Sequence, residues 1–423
     1  MEINFKTSIT EDGLRICTSY MPQTKSVSIA FYVGAGSRYE TIEESGISHF
    51  VEHMLFKGTP SHSTPKEISE TIEGIGGVMN AATDRELTTY WCKVPATHFN
   101  VALDLLTDMI KNSLFDPVEI EKERQVILEE LAMTYDNPSF IADLLIDEIM
   151  WPDHPLGRDV GGTRESVEAI TRPMLINYFN AQYTCPNVVI SIAGNFPQEE
   201  AINTLSNHFK NWGTEQPRKW TPVEEAQAYP RFKITQKKTE QAQICVGLKG
   251  LPSTHKDRYG LDLLGTILGD GMSSRLFVEL RENQGIAYDV HTTVSHLMDC
   301  GSLITYAGVD PANTSAAIDG ILAEMSKIKR GIPDDEINKA KEFLKGRLIL
   351  RLEDSRSMAA WIGAQELILN QIIPLEEVLN QVNAVTTDDL LRIANDLIIT
   401  EKLSVAVVGR YKPGKAFLKN LTL

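Results

Sequence analysis

Within G-I-S-H-F-V-E-H-M-L-F-K-G-T (residues 46–59), two histidines and a glutamate interrupt a stretch that is otherwise strongly apolar. On a helix, at about 100° per residue, His49, Glu52 and His53 fall within one arc of roughly 100°. Phe50, Val51, Met54 and Leu55 spread over the remainder, as in a helix packed on nearly all sides. Ionisable groups in such surroundings are costly unless they are paired or bind a metal. Two histidines one turn apart can present neutral imidazoles to a single ion. With the glutamate next to the second histidine the order is H-x-x-E-H, the inverted form of the helical zinc-hydrolase signature. The chemistry on offer is metal-assisted hydrolysis; the plainer alternative is a polar cluster satisfied inside a core.

A hydrolytic zinc needs a third protein ligand and an open coordination position. The helix expected over 119–131 supplies candidates. Ile120, Ile127 and Leu131 mark its buried stripe, and Glu123 and Glu130, seven residues apart, lie along its border. Glu129 falls on the opposite side with Lys122 and Gln125, where it meets solvent. Glu130 is therefore the better third ligand, and Glu123 is the better group to orient one.

The elements that position these residues occur twice. Residues 114–131 align without gaps on 331–348, and 167–196 align on 382–411, at offsets of 217 and 215. Two separate matches agreeing on one half-length point to two similarly folded halves. In the second half Glu123 is matched by Ala340 and Glu130 by Arg347, and no H-x-x-E-H occurs there. An arginine at a ligand position repels a cation, so one half keeps the site and the other has lost it.

Strands such as 26–33 and 243–248 mix with long helices without strict βαβ alternation. The expected fold class is α+β: two similar α/β-sandwich halves, each a mainly antiparallel sheet with helices packed on it. The expected division is a zinc-binding catalytic half at 1–212, a proline-rich and charged linker at 213–230, and a degenerate half at 231–423 that contributes to substrate binding.

A chain of 423 residues is too long for one ordinary core. With 42% hydrophobic and 23% charged residues it is globular rather than disordered. No apolar run is long enough for a membrane span. The first residues alternate like a strand and turn at Asp12-Gly13, unlike a targeting peptide. A formal charge of −16 argues against a nucleic-acid partner and suits basic ligands. Five scattered cysteines, never in a C-x-x-C pair, suit a cytoplasmic location.

H-F-V-E-H at 49–53, followed by E-R-Q-V-I-L-E-E at 123–130, resembles the pitrilysin–insulinase zinc peptidases. The likeness is greater to the branch of the mitochondrial processing peptidases and their bacterial homologues. It extends over nearly the whole chain, including G-G-V-M-N-A-A-T (76–83) and S-R-L-F-V-E-L-R-E-N-Q-G-I-A-Y (274–288). The resemblance implies a zinc endopeptidase acting on peptides or unfolded segments. In it Zn²⁺ is held by His49, His53 and Glu130, Glu52 is the general base, and Glu123 supports a ligand or the proton handling. It also implies an edge strand carrying Asn80 and Ala81 that pairs with substrate backbone, and Arg281 and Tyr288 as further substrate contacts. Longer members enclose substrate between four similar domains, which implies a pair of chains here, a homodimer or a heterodimer with a degenerate homologue. The rival of another class is a catalytically inert structural or assembly subunit of the same fold, and the intact His49, Glu52, His53 and Glu130 set weighs against it.

Overall fold

The computed structural model describes residues 4–224, 227–411 and 421–423. It holds two mixed sheets, each with helices packed against it. The first contains β1 (Phe5–Ile9), β2 (Arg15–Tyr20), β3 (Ser26–Val33), β4 (Val78–Thr83), β5 (Thr88–Pro95) and β6 (Val188–Gly194). Their order is β1-β2-β6-β3-β5-β4, antiparallel except for the β2–β6 pair. The first hairpin turns at Gly13, whose φ of 88° lies in the left-handed region that glycine enters without strain. The second sheet contains β7 (Arg231–Gln236), β8 (Ala242–Lys249), β9 (Ala287–His296), β10 (Gly301–Val309) and β11 (Ser404–Gly409), in the order β7-β11-β8-β10-β9.

The repeat read from the sequence is present strand by strand. β2, β6, β3, β5 and β4 of the first sheet have their counterparts in β7, β11, β8, β10 and β9 of the second, in the same spatial order. The single parallel pair recurs as β7–β11. The fold is α+β with two similar halves.

Each sheet is covered on both faces, and that explains sequences too apolar for a half-exposed antiparallel strand. β3 reads S-V-S-I-A-F-Y-V and is buried from Val27 onward. Val27, Ile29, Phe31 and Val33 face a core that also holds Phe50, Val51, Met54, Ile127 and Leu131. Its other face carries Ser28, Ala30 and Tyr32 and lies under the helix Ser355–Leu369. There Ser28 Oγ is 3.0 Å from Ser355 Oγ, and Ser191 Oγ donates to the Ala359 carbonyl at 2.6 Å. A methyl group on Gly363 would lie 2.5 Å from the Tyr32 ring, so the close approach needs glycine. In the second sheet the equivalent cover is the helix Pro138–Met150, which packs on β8 and β11 through Ile141, Leu145, Ile146 and Met150 against Cys245, Ala406 and Val408.

All strands of the first sheet precede residue 212 and all strands of the second follow residue 230, but the covering helices do not keep to these limits. One compact unit comprises the residues up to Leu131, Asp159–Thr221 and Leu348–Leu375; the other comprises Ala132–Arg158, Pro222–Arg347 and the residues from Glu376 on. Contiguous segments 1–212 and 231–423 therefore do not describe the packing. The physical reason is that amphipathic helices are interchangeable as covers: an apolar stripe fixes that a helix is buried, and not which sheet it buries. The residues of the linker up to Thr221 belong to the first unit, where Arg218 pairs with Glu44 at 2.8 Å and Arg38 lies over the Trp220 ring. Among the described residues no helix is long and apolar enough to cross a membrane.

Candidate active site

The helix Ile47–Met54 presents the motif. Its buried residues are Ile47, Ser48, Phe50, Val51 and Met54, and the remaining arc holds His49, Glu52 and His53. The helix starts at Gly46, with φ 90°, and is capped by a carboxylate from outside it. Glu40 Oε2 accepts from the Gly46 amide at 2.8 Å and Oε1 from the Ser48 amide at 2.9 Å. An anion there satisfies free N–H groups and matches the positive end of the helix dipole.

The second contributor is the helix Pro117–Asp136. Pro117 sits in its first turn, and Asp116 Oδ1 accepts from the amides of Val118 and Glu119 at 2.8 and 3.2 Å. Its buried side holds Ile120, Glu123, Arg124, Ile127, Leu128 and Leu131. Arg124 fastens this helix by donating to the Val167 carbonyl and lying 5.4 Å from the centre of the Phe50 ring.

His49, His53 and Glu130 converge from these two helices. The Nε2 atoms of the histidines are 3.1 Å apart, and Glu130 Oε2 lies 3.7 Å from His49 Nε2 and 3.5 Å from His53 Nε2. Tetrahedral zinc with ligand bonds of about 2.0–2.1 Å sets its ligand atoms about 3.3–3.4 Å from one another. The sides of the observed triangle lie within about 0.4 Å of these values, and two imidazoles with one carboxylate are a zinc donor set. The residues fit the ion.

Protonation fits as well. His53 Nδ1 is 2.9 Å from Glu123 Oε2, which places the proton on Nδ1 and leaves the Nε2 lone pair facing Glu130. Burial and the neighbouring His53 push the His49 imidazole down to about 4, so it is neutral at pH 7, the form that binds a metal. Burial pushes the Glu123 carboxyl up, but bonds from His53 and Lys57 outweigh it and hold the group below its ordinary value. Lys57 Nζ lies 2.7 Å from Glu123 Oε1, so His53, Glu123 and Lys57 form one chain of charge-assisted contacts.

Glu52 is on the same helix beside the triangle and is held by the hydroxyl of Thr83 at the end of β4. Burial raises its carboxyl above the ordinary value and Glu130 adds to this, while Thr83 and His53 pull it back. A carboxylate whose affinity for protons is raised, beside a metal position, is suited to take a proton and return it.

β4 is the edge strand of the first sheet, bonded only to β5, and it carries Asn80 and Ala81. The Ala81 amide donates to Asn80 Oδ1 at 2.8 Å. An exposed edge of this kind can accept an extended peptide as a further strand. Arg281 and Tyr288 belong to the second unit, where the guanidinium lies 5.1 Å from the centre of the Tyr288 ring. Tyr288 is 74% exposed and so is not spent on the core.

At an offset of 215, His49, Glu52 and His53 fall on Leu264, Ile267 and Leu268, and at 217 on Thr266, Gly269 and Asp270; neither set holds a histidine. Ala340 is buried, and Arg347 pairs with Asp270 at 3.0 Å. The second half holds no equivalent of the metal triangle among these positions.

Three participants escaped the sequence reading: Glu40, Lys57 and Thr83. Lys57 had a signal, since it follows His53 by four residues and could share its side of the helix. Glu40 and Thr83 reach the site through the fold and leave no local pattern.

A family model described as insulinase (peptidase family M16) matches residues 15–164, and one described as the peptidase M16 inactive domain matches residues 169–344. Over 400 residues the chain is 38% identical to the uncharacterized zinc protease YmxG of Bacillus subtilis, covering 94% of this chain and 97% of that protein. The chain belongs to peptidase family M16. A second M16 relative, an uncharacterized zinc protease of Streptomyces coelicolor, is 34% identical over 96% of this chain and 89% of its own length. The M16 fold recurs in the crystal structure of a protease from Helicobacter pylori, with a TM-score of 0.89, 23% identity, and coverage of 97% of this chain and 100% of that one. The inactive-domain match spans Ala340 and the helix Arg258–Gly269, in which the second half has no histidine.

Proposed function

We propose that this M16 chain is a zinc endopeptidase that hydrolyses peptides or unfolded segments. The observation that carries the reading is the triangle of His49 Nε2, His53 Nε2 and Glu130 Oε2, with sides of 3.1, 3.5 and 3.7 Å, with Glu52 on the same helix beside it. The relatives named as zinc proteases support it. Zinc held there polarises a peptide carbonyl and acidifies water.

The chain's own residues do the rest. Glu52 takes a proton from the attacking water and delivers it to the departing amine nitrogen, so one carboxyl acts first as base and then as acid. Thr83 holds the Glu52 carboxylate in place. Glu123, clamped by Lys57, fixes the His53 ring and its tautomer. The β4 edge binds the substrate backbone in extended form, the conformation that unfolded segments adopt at least cost.

Removing the metal tests the reading. Dialysis against a chelator is expected to abolish cleavage of quenched fluorescent peptides, and stoichiometric Zn²⁺ is expected to restore it; cleavage that survives complete metal removal refutes it. The edge has its own test. Ala81→Pro deletes the amide that donates to Asn80 Oδ1, and an edge strand is where a sheet accepts proline. Losing one backbone bond to substrate should lower kcat/KM by about twofold to tenfold. Zinc content should be unchanged. An unaltered kcat/KM removes this amide from substrate binding.

A further inference from the structure

The imidazoles of His49 and His53 are not equally supported. His53 Nδ1 has the Glu123 carboxylate at 2.9 Å. His49 Nδ1 is buried and has no hydrogen-bond partner among the described residues. A buried ring nitrogen left unbonded keeps the full cost of its lost hydration. A metal-binding histidine almost always gives its second N–H to a carboxylate, a carbonyl or a water.

A second unbonded polar atom lies near it. Asp159 Oδ2 is likewise buried without a partner, while Oδ1 of the same carboxylate accepts from the Gly161 amide at 2.9 Å. The two groups flank one glycine. A methyl group built on Gly161 would lie 3.8 Å from His49 Nδ1 and 3.5 Å from Asp159 Oδ1. Two hydrogen bonds meeting at the near-tetrahedral angle of one water span about 4.5–5 Å. A buried water is stable where it has at least two polar partners, and this place, although walled on one side by Leu131 and within the field of Arg85, offers a ring nitrogen and a carboxylate oxygen that make no hydrogen bond among the described residues.

The loop is fixed to the zinc helix, so the spacing is not incidental. A methyl on Gly46 would fall 2.5 Å from the Gly161 carbonyl oxygen, and one on Gly162 would fall 2.4 Å from the Ser45 carbonyl oxygen. Both glycines also have positive φ, 90° and 83°, so backbone lies directly on backbone where only glycine fits. Ser166 Oγ then donates to the Ser45 carbonyl at 2.7 Å. Asp159 is thereby held against the first turn of the helix that carries His49.

We propose that Asp159 is a positioning residue for His49: a single buried water accepts the Nδ1–H of the imidazole and donates to Asp159 Oδ2. This bond keeps the proton on Nδ1, leaves the Nε2 lone pair directed at the metal position, and stops the ring from rotating about its bond to Cβ. The two imidazoles would thus be secured differently, His53 by direct contact with a carboxylate and His49 through a water. The inference rests on the reading of His49 as a zinc ligand.

Chelator competition on the full chain tests it, with zinc affinity as the readout. The comparison needs the unaltered protein, Asp159→Leu, Asp159→Asn and the control His49→Gln. Asp159→Leu should bind zinc about 10–100-fold more weakly, the usual cost of losing the partner of a ligating histidine. Asp159→Asn keeps an oxygen that accepts from the same water and should lose much less. If Asp159→Leu does not fold, Asp159→Ala takes its place. Co²⁺-loaded samples give a second readout, since a freed ring should change the ligand-field absorption in the Leu variant and leave it nearly unaltered in the Asn variant. Equal affinity of Asp159→Leu and the unaltered protein overturns the inference. Equal weakening of the Leu and Asn variants also overturns it, because only the lost charge would then matter. If the unaltered protein binds no zinc, or His49→Gln binds as tightly as the unaltered protein, the zinc reading itself fails, which is a separate result.

Discussion

Glu52→Gln is expected to keep its zinc and to lose about 10²–10⁴-fold in kcat for peptide hydrolysis, the range that a positioned general base contributes. Glutamine has nearly the same shape and retains an oxygen that can accept from Thr83, so the local packing should survive. The amide cannot take a proton from water, and that is the one property removed. Because Glu52 is not among the three atoms that converge on the metal position, zinc content should stay at one per chain. On the proposed reading the peptide backbone is bound along β4 and not by this carboxylate, so KM should change little. Full activity in the variant would falsify the assigned base. Loss of zinc with activity would instead make Glu52 a ligand. An unaltered protein that binds zinc and cleaves no peptide would favour the inert-subunit alternative.

Much of this site was legible because its chemistry is local. H-x-x-E-H is one helical turn, and a helix turns spacing directly into geometry. Glu130 could be chosen over Glu129 because they are adjacent in sequence but about 100° apart around the helix axis. In the structure both are exposed, and it is Glu130 that reaches the histidines. The repeat was legible for a different reason: two matches at nearly one offset define a half-length, and the common strand order of the two sheets follows from it.

What was hidden depends on contacts between distant positions. Glu40 caps the zinc helix from the preceding loop, Thr83 reaches Glu52 across 31 residues, and Asp159 meets the helix through two glycines. None of these pairs has a period. The membership of the covering helices was hidden too. The segment Pro138–Met150 belongs to the unit of the second sheet, and Ser355–Leu369 to that of the first. They lie roughly one repeat length apart, so the internal symmetry relates one to the other. An amphipathic pattern cannot tell which of two equivalent sheets a helix will cover, and only the packing decides it.

Adjacent residues give the second large effect. Glu130→Gln is expected to lose zinc, whereas Glu129→Gln should bind zinc as tightly as the unaltered protein. Both substitutions remove one negative charge from the same turn of the helix Pro117–Asp136, so a general electrostatic effect would weaken the two variants alike. They differ in geometry. Both glutamates are exposed, but Glu130 Oε2 stands 3.5 Å and 3.7 Å from the two imidazole nitrogens, while Glu129 is outside that group. A neutral amide oxygen is a poor replacement for a carboxylate on zinc, and two imidazoles alone leave the ion under-coordinated. The loss for Glu130→Gln should therefore exceed the roughly 10–100-fold that follows from removing a ligand's hydrogen-bond partner. Glu123→Gln, which disturbs only the support of His53, should fall between the two. Stability of metal-free Glu129→Gln should stay within about 0.5 kcal/mol of the unaltered protein, as for an ordinary surface change. Zinc affinities by chelator competition, with urea unfolding of the metal-free proteins, give the ordering. If Glu129→Gln released the metal and Glu130→Gln kept it, the helix would have to be rotated by about 100° from the position described, and the triangle could not be the zinc site.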